Sequence, residues 1–88
     1  MEFEWDEAKR LKNIDKHGIG FRDAPLVFAA KTLIVPSMNS AEERFLAIGL
    51  LEGRAVTIVY TLRGDVHRII SFRRARHEER ERYQAVLG

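Results

Sequence analysis

The feature that most constrains the fold is a set of three apolar segments in the second half of the chain. The segments are RFLAIGLL (44–51), AVTIVYTL (55–62) and VHRIISF (66–72). All three are rich in residues that favour β-strands. EGR separates the first two and RGD the last two, and each contains a glycine that suits a turn. With TLIVPS before them, the segments predict a meander of up to four antiparallel strands, interrupted by the polar loop MNSAEE.

The first five residues predict another short strand. MEFEW alternates apolar and acidic side chains, which is the period of a half-buried strand. We expect Met1, Phe3 and Trp5 on its buried side, as part of the core rather than as surfaces on which nucleic-acid bases stack.

Two helices are expected next. Asp6 is a suitable N-cap for a helix from about Glu7 to His17, and Gly18 suits its C-terminal end. The narrow apolar stripe of this helix contains Ala8, Leu11 and Ile14. FRDAPLVFAA predicts a second short helix, in which Pro25 is tolerated only in the first turn.

The last stretch, from about Arg73 to Leu87, predicts a third helix. One side carries Phe72, Ala75, Tyr83 and Val86, and the other carries Arg73, His77, Arg80 and Gln84. We expect the remaining charged residues to be solvated and to form weak ion pairs along the helix. These residues are Glu78, Glu79, Glu81 and Arg82.

Together the elements predict one α+β domain over residues 1–88, a length that suits a single small core. We expect a curved antiparallel sheet of about four strands, with two N-terminal helices and a C-terminal helix packed mainly on one face. The other face, or its rim, is then left to meet a partner.

Composition excludes several classes of protein. The chain has no cysteine, which excludes disulfides, thiolate catalysis and cysteine-based zinc sites. No apolar run approaches the roughly 18–20 residues that cross a bilayer. The acidic N-terminus is unlike a signal peptide. We therefore expect a cytoplasmic protein that does not associate with membranes.

Charge is unevenly distributed along the chain. Residues 1–44 carry 7 basic and 8 acidic side chains, a net charge of −1, whereas residues 45–88 carry 8 and 5, a net charge of +3. All eight basic residues of the second half are arginines. Because the planar guanidinium group binds phosphate oxygens in pairs, this half favours a polyanionic partner such as RNA.

The sequence contains none of the common catalytic motifs. His17, His67 and His77 are too far apart for a metal-binding spacing, and no phosphate-binding glycine loop or serine nucleophile elbow is present. We therefore expect neither a metal ion nor another cofactor. The remaining histidine, arginine, lysine and carboxylate groups are sufficient to cleave RNA when the substrate's own 2′-hydroxyl attacks the phosphate.

The histidines and one lysine are each open to two interpretations. His17 closes the first helix, where it serves either as a C-terminal cap or as a general acid or base. Lys16 is either a solvated lysine or a phosphate ligand. His77 shares a basic helix face with two arginines, so it is either simply exposed or part of an RNA-facing surface. His67, on a strand, is more typical of a structural residue.

Five arginines are better explained by ligand binding than by pairing along a helix. Arg68, Arg73 and Arg74 lie in or just after a β-branched strand. Arg63 lies in the turn before that strand, and Arg44 opens another strand. Because neighbouring strands can deliver several arginines to one phosphate, we expect these residues to bind RNA.

Three blocks of the sequence resemble one protein family. FEWDEAKRLKNIDKHGIGFRDAPLVF, ERFLAIG and VYTLRGDVHRIISFRRARHEERERY look like the corresponding parts of BrnT-type toxins of type II toxin–antitoxin systems. The resemblance extends from Phe3 to Tyr83. Its most specific features are Trp5-Asp6 with Lys9 and Asn13, Lys16-His17-Gly18 with Phe21, and RIIS (68–71) followed by Arg73-Arg74-Ala75 and Glu79-Arg80.

The resemblance implies a RelE-like fold and a metal-independent endoribonuclease that inhibits translation. It also implies a cognate antitoxin, usually a ribbon-helix-helix protein of BrnA type, which neutralises the toxin and through which the complex contacts DNA. The catalytic residues carried over are His17, Arg68 and Arg73. The RNA-binding residues carried over are Lys16, Arg44, Arg63 and Arg74, and His77 is added to them because of its position on the basic face of the last helix.

A second hypothesis is a non-catalytic or weakened toxin homologue that binds the antitoxin and acts as a co-repressor. It is motivated by the lack of a complete acid–base pair in the sequence and by Phe72, where relatives usually have a small residue such as alanine. Phe72 either extends the core or narrows the site between Ser71 and Arg73. Direct DNA binding by the last helix is disfavoured, because its glutamates repel the phosphate backbone.

Overall fold

The computed structural model describes residues 1–37 and 41–88. The elements are β1 (Glu2–Glu4), α1 (Glu7–His17), a 3₁₀ turn (Phe21–Asp23), α2 (Ala24–Phe28), β2 (Leu33–Ser37), β3 (Arg44–Leu51), β4 (Arg54–Arg63), β5 (Val66–Arg74) and α3 (His77–Val86). Residues 38–40 of the expected polar loop lie outside the described residues. Among the described helices, none is long and apolar enough to span a membrane.

The α+β class is confirmed, and the sheet has five strands in the order β1-β5-β4-β3-β2. The strands β2 to β5 form the predicted antiparallel meander. The expected number of about four strands is corrected to five, because β1 pairs in parallel with β5 over Glu2–Glu4 and Val66–Arg68. The sheet is therefore mixed rather than wholly antiparallel.

The helices pack on both faces of the sheet, which corrects the expectation that they lie mainly on one. The first face carries Ala47, Ile58 and Phe72 and is covered by the 3₁₀ turn and α2, while α1 packs along β5. The second face carries Ile48 and Thr57 and is partly covered by α3. The physical reason lies in β3 and β4, whose nearly continuous apolar sequence is typical of strands that are buried on both sides.

The boundary of the last helix also differs from the prediction. Arg73 and Arg74 belong to β5, where they pair with Thr57 and Val56 of β4, and α3 begins only at His77. Phe72 is likewise a strand residue and is fully buried in the core of the first face, so it extends the core. Val86, expected on the packed side of the helix, is exposed.

The caps of α1 are those expected from the sequence, but its packing is different. The Asp6 side chain accepts a hydrogen bond from the backbone N–H of Lys9, and Gly18 adopts the left-handed conformation at φ 69°. The apolar stripe of Ala8, Leu11 and Ile14 is exposed, and Met1 is exposed as well. The residue that α1 buries is Asn13.

At the edge of β5, the side chain of Asn13 forms backbone hydrogen bonds that a neighbouring strand would otherwise form. Beyond the short strand β1, its Nδ2 donates to the carbonyls of Phe72 (2.7 Å) and Ile19 (2.8 Å), and its Oδ1 accepts from the backbone N–H of Phe72 (3.2 Å). One carboxamide thus satisfies three buried backbone groups, which would otherwise each lose a hydrogen bond. Asn13 therefore fixes α1 alongside β5.

Replacing Asn13 by alanine is expected to lower the free energy of unfolding by roughly 2–3 kcal/mol, because the backbone groups of Phe72 and Ile19 lose their partners. Urea unfolding followed by circular dichroism measures the change. Asn13→Asp is the informative control, since a carboxylate still accepts from Phe72 N–H but donates to neither carbonyl. An alanine variant as stable as the parent would show that α1 does not depend on this contact.

Candidate functional site

A row of polar side chains crosses the second face of the sheet at the end away from α3. Arg44 of β3 pairs with Ser37, and Arg68 of β5 pairs with Thr61 and Glu4. Arg44 lies opposite Thr61, because the next residue of β3 pairs with Tyr60. Residues paired across a sheet share a face. With strands about 4.8 Å apart, Arg44 and Arg68 lie roughly 10 Å from each other on this face.

Both arginines of this row can interact with an anion. Arg68 forms an ion pair with Glu4 at 3.2 Å, and the two side chains are 26% and 40% exposed. A partly exposed pair of this kind contributes only about 0–1 kcal/mol, so a phosphate can compete with the carboxylate. The Nε of Arg44 is buried and has no hydrogen-bond partner among the described residues. The Arg44 guanidinium forms no ion pair within the described part of the chain, so it is not committed to a carboxylate.

A cationic groove runs beside this row, between α1 and the edge of β5. It has a volume of about 220 Å³. It is lined by Lys9, Lys12, Asn13, Lys16, His17, Ile70 and Ser71. The three lysines lie at helical spacings of three and four residues, so they share one side of α1. We call this feature the α1–β5 groove.

An irregularity in the sheet shapes the floor of the α1–β5 groove. Val59 pairs with Ser71 but the next residue, Tyr60, pairs with Ile69, so Ile70 is the extra residue of a β-bulge. Bulges redirect side chains and are common beside active sites. Here the bulge lies at the position where α1 passes the edge of β5.

His17 lies at the C-terminal end of the groove in a cationic environment. Its pKa is lowered from the usual 6.5, first because burial disfavours the charged imidazolium and then because Lys16 and Arg73 repel it. The N–H of Gly18 bonds to the carbonyl of Ile14, so α1 ends through this backbone contact. Within residues 1–37 and 41–88 the imidazole forms no hydrogen bond. A neutral, unpaired imidazole is suited to accept a proton.

Arg73 is held in a buried polar network rather than directed to solvent. Its guanidinium donates to both carboxylate oxygens of Glu79, at 2.8 and 3.0 Å, and the side chains are 14% and 11% exposed. Glu79 also accepts from Thr57 Oγ1 (2.9 Å) and the N–H of Arg76 (2.8 Å). The expectation that Glu79 is solvated is therefore wrong. Arg73 affects His17 through its positive charge, which lowers the pKa of His17.

The network has a strong effect on the acidity of Glu79. Burial alone would raise the pKa of this carboxyl, but the hydrogen bonds from Arg73, Arg76 and Thr57 outweigh burial and lower the pKa to about 2. Glu79 is therefore ionised over the whole physiological range and fixes the start of α3 against β4 and β5.

The other candidate residues lie outside this surface. Arg74 points to the first face, since successive residues of a strand alternate. Arg63 is exposed at the end of β4. His77 is exposed at the start of α3, where it contacts Glu81. The structure thus brings Lys16 and His17 together in the groove and places Arg44, Arg68 and Arg73 on the second face.

Five of the seven residues that line the groove were not predicted as site residues. They are Lys9, Lys12, Asn13, Ile70 and Ser71, beside the predicted Lys16 and His17. The spacing of the lysines was a usable signal, because 9, 12 and 16 fall on one side of a helix. Ser71 had no such signal, since its place depends on the bulge at Ile70.

Comparison with known proteins identifies the family. No curated protein matches the chain. Within the described residues, no group of three histidine, aspartate or glutamate side chains comes together as metal ligands would. A family model described as "Ribonuclease toxin, BrnT, of type II toxin-antitoxin system" matches residues 5–79 of the 88. The match covers most of the chain, including the α1–β5 groove and the Arg44–Arg68 row, and the chain therefore belongs to the BrnT family of ribonuclease toxins.

Proposed function

We propose that this chain is an endoribonuclease that cleaves RNA without a metal ion, in the α1–β5 groove. The observation that carries the proposal is the position of His17, a histidine kept neutral by burial and by adjacent positive charge in a groove lined by three lysines. A neutral histidine supplies a base, and the lysines supply the positive charge that a phosphate needs.

In the proposed reaction, the imidazole of His17 takes the proton of a ribose 2′-hydroxyl. The 2′-oxygen attacks the adjacent phosphorus, the bond from phosphorus to the 5′-oxygen breaks, and water protonates the departing oxygen. The products are a 2′,3′-cyclic phosphate and a 5′-hydroxyl. DNA cannot react in this way, because it lacks the 2′-hydroxyl. The groove lysines stabilise the negative charge that develops on the phosphate.

The arginines divide into different roles in this proposal. Arg44 and Arg68 bind the RNA backbone on the second face beside the groove, and Arg68 exchanges Glu4 for phosphate. Arg73 is a positioning residue, since its guanidinium is engaged by Glu79 and its charge lowers the pKa of His17. Arg63, exposed at the margin, contributes long-range attraction that salt screens. His77, exposed at the start of α3, is a further RNA contact at the margin.

The rate of cleavage is expected to fall as pH falls through the pKa of His17, because the base is then protonated. Since this pKa lies below 6.5, activity should persist to lower pH than for an ordinary histidine base. Lys16→Gln removes one cause of the lowering, so the acid limb of the single-turnover pH profile should move to higher pH. Lys9→Gln, at the other end of the groove, should weaken RNA binding without moving the limb. An acid limb at the same pH in the parent, Lys16→Gln and Lys9→Gln proteins would contradict the assignment of His17 as the general base.

The partner we propose is a ribbon-helix-helix antitoxin of BrnA type, through which the complex contacts operator DNA. Free toxin is expected to arrest growth by inhibiting translation in the cytoplasm. Co-expression of a small ribbon-helix-helix protein encoded beside the toxin should restore growth and co-purify with it. A folded protein that binds this partner but never cleaves RNA would favour the non-catalytic co-repressor instead.

A further inference from the structure

A second cavity is separate from the α1–β5 groove. It lies on the first face, at the end of the sheet near the β3–β4 turn, and has a volume of about 390 Å³. This volume is in the range of sites that bind small ligands. Its lining includes Gly18, Ile19, Asp23, Glu52, Arg54 and Arg74.

The fold does not use the charged groups of this cavity. Arg54 and Arg74 are exposed and form no ion pair within the described part of the chain. Asp23 occupies the N-cap position of α2, yet its side chain makes no capping hydrogen bond. The cavity therefore offers the guanidinium groups of Arg54 and Arg74 and the carboxylates of Asp23 and Glu52 to a ligand that has both an anionic part and hydrogen-bond donors.

The α1–β5 groove and this cavity are lined by consecutive residues of the chain. His17 lines the α1–β5 groove, and the next residue, Gly18, lines the cavity. On β5 the same division recurs, because Arg73 lies on the second face beside His17 whereas Arg74 lines the cavity. An RNA strand with its reacting phosphate at His17 can thus place a neighbouring nucleotide in the cavity.

We propose that this cavity is a base-recognition subsite that binds a guanine nucleotide next to the cleaved phosphate, an inference that rests on the proposed ribonuclease function. Asp23 accepts hydrogen bonds from the N1–H and the N2 amino group of guanine, and Arg54 and Arg74 bind a phosphate. Guanine alone among the four bases presents two adjacent donors on its Watson–Crick edge, which match the two oxygens of a carboxylate. Single-stranded RNA exposes this edge.

The test is a titration of ¹⁵N-labelled protein with 5′-GMP, 5′-AMP and 5′-UMP, followed by NMR. GMP should shift the amide signals of Gly18, Ile19 and Val56 and bind roughly tenfold more tightly than the others. Asp23→Asn should remove this preference, and Arg74→Ala should weaken all three nucleotides. Asp15→Asn, an exposed acid of α1 outside the cavity, is the matched control and should change neither. Asp23→Ser serves as a second variant if the asparagine variant does not fold.

The outcomes separate this inference from the ribonuclease proposal. Equal affinities for the three nucleotides, or shifts confined to the groove, would overturn the subsite even if RNA is cleaved. Guanine-selective binding at Gly18 and Ile19 would uphold it even if cleavage is not observed. In active protein, cleavage sites should share a guanine at one fixed position, and Asp23→Asn should randomise that position.

Discussion

His17→Ala is expected to lower the single-turnover rate of RNA cleavage by a factor of roughly 10²–10⁴, the usual contribution of a general base. The fold should survive, because the imidazole forms no hydrogen bond to another described residue and α1 ends through the backbone contact of Gly18. RNA affinity should change little, since the groove lysines remain. Cleavage of a labelled oligonucleotide at saturating protein measures the rate.

The control for this experiment is a substitution in the same turn of α1. Asp15→Asn changes an exposed residue whose side chain does not line the groove, so it should retain the parental rate. A folded His17→Ala protein with undiminished activity would remove His17 from the mechanism and direct attention to another base.

Glu79→Ala is expected to destabilise the fold by roughly 3–5 kcal/mol, the cost of leaving one partner of a buried ion pair uncompensated. The substitution deprives Arg73, Thr57 and the N–H of Arg76 of their shared acceptor. The free energy of unfolding of a small domain is only about 5–15 kcal/mol, so the substitution is expected to remove a large fraction of it. Urea unfolding measures the loss, and Glu78→Ala, at the exposed neighbour, should cost little. Equal costs for both would contradict the network.

The same network predicts the response to acid. The pKa of Glu79 is lowered in the folded state, from 4.5 to about 2, so the folded protein binds a proton less readily than the unfolded chain. The contribution of Glu79 to stability is therefore present above pH 4.5 and is lost as pH falls towards 2. Its size is at most about 3 kcal/mol, less the effect of solvent screening. In the Glu79→Gln variant, the loss of stability between pH 4.5 and pH 2 that is due to Glu79 should disappear.

Features that depend on neighbouring residues could be predicted from the sequence. Asp6 and Gly18 bound α1 as expected, because a cap is decided within a few residues of the chain. The glycine-containing turns of the meander were predicted for the same reason. The last helix was expected too early, since arginine has no preference strong enough to reveal that Arg73 and Arg74 continue β5.

Features that depend on distant contacts could not be predicted. The burial of Asn13 arises from the exposed edge of β5, 59 residues away in sequence. The burial of Glu79 arises from Thr57 and Arg73 on two strands. In both cases the sequence suggests that the polar residue is exposed. The residue is instead buried, because the folded sheet places its hydrogen-bond partners next to it.

Arg73 and Arg74 show how contacts that the sequence does not reveal changed the predicted site. The sequence predicted that both arginines bind RNA, but adjacent residues of a strand face opposite sides of the sheet. Arg73 therefore joins the Glu79 network next to His17, and Arg74 lines the cavity on the first face. His17 and Lys16, by contrast, were predicted as candidates and lie together in the groove.

The most direct test of the account is cleavage of a short RNA by the purified protein in EDTA, beside the same sequence carrying 2′-deoxyribose at the cleaved nucleotide. We predict cleavage of the all-ribose strand, with a 2′,3′-cyclic phosphate and a 5′-hydroxyl as product ends, and no cleavage of the deoxy-substituted strand. Activity that EDTA abolishes, or products with a 5′-phosphate, would contradict attack by the 2′-hydroxyl without a metal ion.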